Sequence, residues 1–380
     1  MALAPPVRVP APVPLPLLRH FTPNWYATVM GTAIVANAGA ALDIPGTRPA
    51  LTAVWALSAV LLIAVVTTRL LHWRHHRDRA GADLLDPMVA PFYGCAAMAT
   101  LSVGSGTLSL GGPVLGEAAA LTVAVLLLVV GTLAAVGTAV VIPRLMVVHR
   151  RIEPGSASPV WLLPVVPPMV AAASWPPLVY ELPAGPWRTA VLLASGAMFG
   201  ASLLGTLAVL PFVFARLLRH GPLPLALTPA LFLVLGPLGQ STAAADAMAD
   251  ASGSVLPAPH PGALAVFAVV YGAVAMGFAL LWLAYAGSTA VRALRRGMPF
   301  TLGWWAFTFP VGTCVTGAAA LGERTDQTAL TALACALYLL LGTAWVVAGC
   351  RTVRGLFSAE LLAAPRPAPP VPSPGTARTR

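Results

Sequence analysis

The densest group of residues that could do chemistry is a run of histidines and arginines in the segment HWRHHR. His72, His75 and His76 lie within five residues of one another, and imidazoles at this spacing could bind a metal cation. Arg74 and Arg77 lie among them and would repel a cation. The preferred interpretation is a solvated, arginine-rich loop, because basic residues collect in the short loops on one side of a membrane protein. No metal site is predicted.

Carboxylates for acid–base chemistry are missing from the apolar interior of the chain. All twelve acidic residues lie at the ends of apolar segments, in loops or in the terminal tail. We therefore predict no proton relay, no buried carboxylate pair for catalysis and no metal site at mid-membrane depth. The four cysteines are isolated and predict no disulfide framework. A pathway without fixed carboxylates also lacks the usual repulsion of anions, which helix N-termini, backbone N–H groups and hydroxyls can stabilise.

An aromatic motif, WWAFTFP, runs from Trp304 to Pro310. Trp304 and Trp305 follow a pair of arginines closely, as the aromatic anchors of a membrane interface do. Phe309 lies deeper and comes directly before Pro310, which bends a helix. On a helix that faces a pore, an apolar ring at this position would cross the bore, and hydrophobic constrictions gate by excluding water.

Composition indicates that transmembrane helices position these residues. The chain of 380 residues is 58% hydrophobic and 9% charged, with a mean hydropathy of +0.83, whereas soluble domains carry about 25% charged residues. A membrane-crossing helix needs about 20 apolar residues. We predict an all-α integral membrane protein with one transmembrane domain, 21–354, whose ten helices pair as five hairpins. The spans are 22–42, 50–71, 88–108, 118–142, 160–180, 188–213, 224–242, 262–290, 301–321 and 328–350.

The arginines predict the orientation of the chain. There is no lysine, and 19 of the 22 arginines (22 − 3) share one side, the exceptions being Arg48, Arg188 and Arg324. By the positive-inside rule both termini are cytoplasmic, and we place the protein in the plasma membrane. The formal charge of +10 then reflects topology and contact with anionic lipid, not nucleic-acid binding. The proline-rich segments 1–20 and 355–380 are predicted to be disordered, and 243–261 to be the one long outer loop.

Proline divides the ten spans into two classes, because the odd-numbered spans carry it and the even-numbered spans almost lack it. Proline removes a backbone donor, and a broken backbone is tolerated in lipid where it faces protein or a water-filled cavity. We therefore predict that the five odd helices line a central pore and that the five even helices surround them. The prolines concerned are Pro23, Pro87, Pro91, Pro164, Pro167, Pro168, Pro229, Pro237 and Pro310.

The glycines of the odd spans have two interpretations. A missing side chain lets two backbones pack closely, or it leaves a bore open and exposes backbone dipoles to it. The alternation across the hairpins favours an open bore for the set as a whole. The candidate pore-lining or kink residues are Gly31, Pro164, Pro168, Gly236, Pro237, Gly239, Pro310 and Gly312.

Four segments resemble the tellurite-resistance/dicarboxylate transporter family. They are FTPNWYATVMGTAIV (21–35), WLLPVVPPMVAA (161–172), GPLGQS (236–241) and WWAFTFP with the following VGT (304–313). The family includes a bacterial tellurite-resistance protein, a fungal malate permease, a fungal sulfite efflux pump and plant slow-type anion channels. The resemblance implies a homotrimer with one pore in each protomer. It also implies that a phenylalanine on the ninth helix occludes the pore, a role that falls to Phe309, with Phe307 as the alternative.

These observations predict a membrane permease or channel that passes small inorganic or organic anions, of the C4-dicarboxylate or sulfite class, without a cofactor. The alternative is a proton-coupled secondary transporter of the same anions, since malate and sulfite can move partly protonated. A polytopic membrane enzyme is a distant alternative, because it would need clustered polar or metal-binding residues at one interface. The expected partners are small anions, membrane lipid and further copies of the chain.

Overall fold

The structure, a computed structural model, describes residues 16–149, 155–358 and 360–362. These residues form helices and turns without a β-strand, which confirms the all-α prediction. The predicted terminal disorder falls mostly on 1–15 and 363–380, outside the described residues, and the last helix continues past 355. The α-helices are, in chain order, α1 (Tyr26–Leu42), α2 (Arg48–His75), α3 (Arg77–Leu85), α4 (Tyr93–Leu110), α5 (Gly112–Leu115), α6 (Glu117–His149), α7 (Pro167–Ser174), α8 (Pro186–His220), α9 (Leu235–Ser252), α10 (His260–Arg295), α11 (Phe309–Thr325) and α12 (Thr328–Phe357).

Seven helices in the described part of the chain are long and apolar enough to cross a membrane. The number is eight if α3 and the stretch Ala90–Leu110, which meet at an angle of 100°, are counted as one bent span. Two more predicted spans correspond to shorter pieces. The first is α1, with 17 residues, and the fifth is α7 with 3-10 helices at Pro159–Leu162 and Pro176–Glu181. The chain is a multi-pass membrane protein, and ten crossings remain a prediction.

The prolines of the odd spans mark changes of helix type. A 3-10 helix precedes each of α1, α4, α7, α9 and α11, and proline falls at or near the change. Pro310 is the second residue of α11, and Pro237 the third of α9. The first N–H groups of an α-helix have no acceptor within it, so a proline there leaves no hydrogen bond unmade. The five 3-10 helices are Pro23–Trp25, Ala90–Phe92, Pro159–Leu162, Leu225–Val234 and Leu302–Phe307.

The five α-helices that follow these 3-10 stretches form a closed ring, and we call them the inner helices. In order around the ring, α1 contacts α4, α4 contacts α7, α7 contacts α9, α9 contacts α11, and α11 returns to α1. Each inner helix is followed in the chain by one of the long helices α2, α6, α8, α10 and α12, which we call the outer helices. Every outer helix packs against the inner helix before it and against the next one around the ring.

Burial separates the two classes in the same way. In the most apolar stretches of 225–252 and 302–325, which contain α9 and α11, 78% of the residues are buried. In the five outer helices the corresponding share is 17–28%. A helix that is apolar yet exposed faces lipid in a membrane protein, whereas one that is surrounded by protein can carry glycine, serine and irregular backbone. The ring therefore forms the interior of the molecule.

The prediction of a long outer loop at 243–261 is wrong for its first half. α9 continues to Ser252, which places Asp246 and Asp250 on a helix. Arg324, near the end of α11, pairs with Asp246, and its Nη2 lies 2.5 Å from Asp250 Oδ1. This pairing joins the ends of α9 and α11 and neutralises one of the two carboxylates.

Candidate functional site

A cavity of about 360 Å³ lies inside the ring, toward the side of Arg324, and residues from all five inner helices line it. Its polar groups are amides and hydroxyls. They include Asn37 on α1, Ser105 on α4, Ser174 on α7 and Gln240 on α9. Asn37 Nδ2 donates a hydrogen bond to the carbonyl oxygen of Ser102 at 2.9 Å, and Ser105 Oγ donates to Ser174 Oγ at 2.8 Å. We call this space the outer cavity.

A second cavity of about 280 Å³ lies on the arginine-rich side of the ring, and we call it the inner cavity. All five 3-10 stretches contribute residues to its wall, among them Phe92 from the second. The lining is mostly apolar, with polar groups from Asn24 and Thr301. The buried Oδ1 atoms of Asn24 here and of Asn37 in the outer cavity have no hydrogen-bond partner among the described residues. Each cavity is thus lined by one asparagine whose carbonyl oxygen is buried and has no partner among the described residues.

Phe309 lies between the two cavities. It is the first residue of α11, is 2% exposed and lines the outer cavity. It also lines a space of only about 10 Å³, together with Met30, Met98, Leu163 and Leu233. Met30 and Leu163 in turn line the inner cavity. A water molecule needs roughly 10–15 Å³ of such space and two or more polar partners, so this apolar layer is dry.

Phe307, the alternative gate residue, has a different environment. Its ring packs edge-on against Phe232, with centroids 4.7 Å apart, and against Trp304 at 5.9 Å. It lines none of the three spaces described above. The 3-10 turn that ends at Phe307 directs its side chain sideways, into a cluster of aromatic rings. Of the two phenylalanines, the structure brings only Phe309 to the centre of the ring.

The four candidate glycines divide into two groups. A Cβ on Gly31 would collide with Thr308, one on Gly312 with Ile34, and one on Gly239 with the backbone of α11. These three positions allow helices to pack closely. A Cβ on Gly236 would meet nothing within 4 Å, and Gly236 lines the small space beside Phe309. The candidate prolines Pro237 and Pro310 lie in the first turns of α9 and α11, Pro168 in that of α7, and Pro164 in the preceding turn, where it is buried.

No charged side chain lines the two cavities or the space between them, within the described residues. Charged groups lie at the ends instead. Arg324, Asp246 and Asp250 lie beyond the outer cavity, and Asp250 is seven residues past Ala243, which lines it. The pathway through the ring is therefore uncharged and most polar on its outer half.

The interpretation of His72–His76 as a solvated loop is wrong. α2 runs through His75, and the side chains of His72 and His76 are 0% and 4% exposed. The reason is that α3 folds back against α2 and covers this face. His75 itself is exposed, and no group of three or more His, Cys, Asp or Glu residues in the described ranges could hold a metal ion.

A buried ion network surrounds these histidines, and sequence reasoning missed it. Arg69, which is 3% exposed, donates to the carbonyl oxygen of Phe21 and to Tyr93 Oη, at 2.5 and 2.8 Å. Arg69 Nη1 also lies 3.9 Å from Asp83 Oδ2, and Arg79 Nε lies 3.3 Å from Asp83 Oδ1. Burial raises the pKa of the Asp83 carboxyl above its ordinary value, although Arg79 and Arg69 act to lower it. The network ties α2, α3 and α4 to the segment that enters α1.

One signal for this network was present in the sequence. Arg69, His72 and His76 have the i, i+3, i+7 spacing of one helix face. That spacing predicts a shared face only if the helix continues past residue 71, where our predicted span ended. The structure extends α2 to His75.

The fold and the site together define a class: a multi-pass membrane protein with solute-sized, uncharged cavities inside a ring of helices is a transport protein. Comparison of sequences gives the family. The chain belongs to the voltage-dependent anion channel family, whose sequence model matches residues 20–353. It is accordingly an anion transporter or channel.

Individual relatives cover nearly the whole chain. An uncharacterized transporter of Methanocaldococcus jannaschii is 25% identical over 357 residues, which are 91% of this chain and 96% of that protein. A sulfite efflux pump of Arthroderma otae is 26% identical over 355 residues, which are 90% of this chain and 93% of the pump. A sulfite efflux pump of Trichophyton rubrum has the same identity and coverage. These matches confirm the resemblance to the tellurite-resistance/dicarboxylate transporter family, to which sulfite efflux pumps belong.

Proposed function

We propose that small anions cross the membrane through the ring of inner helices in each protomer, and that Phe309 closes this pathway. The observation that carries the proposal is the alignment of two cavities, of about 280 and 360 Å³, on either side of one buried phenylalanine. A dry apolar layer excludes hydrated ions, so the conformation described is closed. A small movement of the Phe309 side chain would join the cavities.

The uncharged lining favours anions as the solute. A fixed carboxylate in the pathway would repel them, and none lines either cavity in the described residues. Amide groups such as that of Gln240 can donate hydrogen bonds to an oxyanion without binding it as tightly as a full positive charge would. The Ser105 hydroxyl could do the same after releasing its hydrogen bond to Ser174 Oγ. The arginines on the predicted cytoplasmic side of the membrane would raise the local anion concentration at the mouth of the inner cavity.

The proposed substrates are sulfite and C4-dicarboxylates such as malate. Two of the relatives are named sulfite efflux pumps, which supports the first. Cavities of this size accept either anion, whereas passage of the larger dicarboxylate demands a wider opening at Phe309. Movement is passive in this proposal. Among the described residues, the cavity lining contains no carboxylate or imidazole that could carry a coupled proton, so proton coupling would require the anion itself to cross in protonated form.

We further propose ten crossings, cytoplasmic termini, a plasma-membrane location and a homotrimer. Support for ten crossings comes from the regular alternation of buried inner and exposed outer helices. Support for cytoplasmic termini comes from the 19 arginines on one side. The trimer rests on the resemblance to the family, and a pathway within one ring needs no second chain.

Anion flux in proteoliposomes tests the function. We would screen sulfite, malate, succinate, nitrate, chloride and tellurite at a clamped membrane potential, with empty liposomes as the control. The proposal expects flux that follows the electrochemical gradient of at least one of these anions. Uphill uptake driven by an imposed pH gradient would favour the proton-coupled alternative, and the absence of flux for every anion would refute the proposal.

A further inference from the structure

A deep apolar groove lies on the outside of the ring, between the first and last outer helices. α2 and α12 both pack against α1 but leave a space of about 730 Å³ between them. Leu57, Leu61 and Val65 line one wall, and Val346 and Val353 line the other. The 3-10 turn of the aromatic motif contributes to the floor. The groove opens toward the lipid.

One end of the groove leads into a basic pocket of about 430 Å³. Arg354 lines both spaces, and Arg351, Phe300 and Ser358 complete the pocket. The guanidinium of Arg351 stacks on the ring of Trp304, 4.6 Å from its centroid. Neither arginine has an acidic partner in the part of the chain that the structure describes. Two cations that no acidic side chain among the described residues neutralises therefore face one small space at the membrane surface.

We propose that this groove and pocket form a binding site for one anionic phospholipid, with an acyl chain in the groove and the phosphate between Arg351 and Arg354. An apolar groove alone selects no lipid, because every acyl chain is equally apolar and gains nothing by leaving the bilayer for the groove. Selection must come from the head group. Arginine forms bidentate, charge-assisted hydrogen bonds with phosphate. The Ser358 hydroxyl also lines the pocket and donates a long hydrogen bond, 3.4 Å, to the carbonyl oxygen of Gly355.

Charge favours an anionic lipid over a zwitterionic one. The pocket lies on the arginine-rich side of the molecule, which under the proposed orientation faces the leaflet that holds the anionic lipids. The sequence after Ser358 carries one acidic residue, Glu360, and three further arginines, so its net formal charge is positive. The site also adjoins the gate segment, because Trp305 Nε1 donates to Thr352 Oγ1 at 2.9 Å, one residue from Arg351.

Native mass spectrometry of the purified protein measures the bound lipid. We would compare phosphatidylglycerol with phosphatidylcholine of identical acyl chains, for the wild type and for the double variant R351Q/R354Q. The matched control is R292Q/R295Q, which removes two exposed arginines from the end of the outer helix α10, on the same side of the membrane. The single variant R354Q keeps the test valid if the double variant misfolds. It should fold normally, since no described residue bonds to the Arg354 side chain.

We expect about one phosphatidylglycerol per chain in the wild type and the control, at least fivefold less in R351Q/R354Q, and an intermediate loss in R354Q. Ala64→Trp, which fills the groove without touching the arginines, should also displace the lipid. Equal retention of the two lipids, or of phosphatidylglycerol by the double variant, overturns the proposal. Dissociation of an oligomer by Ala64→Trp without lipid loss would instead make the groove an interface between copies. Lipid retention is measured without anion flux, so failure here is distinct from failure of the proposed function.

Discussion

Replacing Phe309 with alanine tests whether this side chain alone separates the two cavities. The ring is 2% exposed and adjoins a space of about 10 Å³, which is at the lower limit for one water molecule and is lined by no polar side chain among the described residues. Loss of the phenyl group opens roughly 100 Å³, enough for about three water molecules at ~30 Å³ each. The cavities of about 280 and 360 Å³ would then be joined by water.

The expected consequence is a large gain of flux at a modest cost in stability. An ion that stays hydrated avoids a desolvation penalty, and each 1.4 kcal/mol taken from the barrier gives a tenfold faster rate, so we expect at least a tenfold increase. Truncation of a buried phenylalanine costs about 3–5 kcal/mol when the resulting hole stays empty. Because water can enter the hole from the two cavities, we expect a cost near the lower end of that range.

Flux in proteoliposomes and the thermal unfolding midpoint of the same preparation measure the two effects. Phe307→Ala is the matched control, because it is the same truncation two residues away, in a ring that packs on Phe232 and Trp304 outside the cavities. It should lower stability without raising flux. If Phe309→Ala is folded and conducts no faster than the wild type, or if Phe307→Ala conducts as fast as Phe309→Ala, the assignment of Phe309 as the gate is wrong.

The remaining predictions concern glycines and charges. Gly236→Ala should leave the unfolding midpoint nearly unchanged and reduce flux, because its methyl group enters open space beside the constriction, whereas Gly239→Ala should destabilise the protein through collision with the backbone of α11. Equal effects of the two on stability would contradict this. Arg69→Met should cost about 3–5 kcal/mol, because it removes one of the two arginines that face the buried Asp83 and leaves the carbonyl oxygen of Phe21 without its donor. Arg19→Met, which breaks an exposed pair, should change the midpoint little, and calorimetry distinguishes the two variants. Asp250 lies ~10 Å along α9 from the outer cavity. At that distance in water, its charge repels a monovalent anion in the cavity by about 0.4 kcal/mol. Asp250→Asn should therefore raise anion flux about twofold at low salt and not at high salt, and a salt-independent change would count against the electrostatic reasoning.

Side-chain roles at the site followed from the sequence only in part. The pattern of prolines identified the segments that form the inner ring, and the order Phe309-Pro310 identified the phenylalanine that the fold brings to its centre. The roles of individual glycines could not be predicted, because Gly236 and Gly239 lie three residues apart in one motif. Which of them faces a cavity and which faces α11 depends on the rotation of α9 within the ring.

The prediction that His72–His76 form a solvated loop was wrong for a related reason. A short polar run next to an apolar span is typical of a loop, and local composition favours that interpretation. Burial of His72 depends on α3, which folds back over α2 after a break at His76, and on Arg69. The partners of Arg69 are Phe21, Asp83 and Tyr93, which lie in three separate parts of the chain. Contacts between residues that are distant in the chain decided this outcome.

The sequence by itself determined the environment and the helical class of this protein, because hydropathy and the cost of unpaired backbone in lipid act on each segment separately. Arginine placement likewise predicts an orientation from the loops alone. The tertiary structure decided which helices enclose the cavities and how α1, α4, α7, α9 and α11 close into a ring. It also decided that Phe309, and not Phe307, lies between two open spaces. The physical reason is that a pathway is a space between helices, and its shape depends on how the helices pack rather than on any one of them.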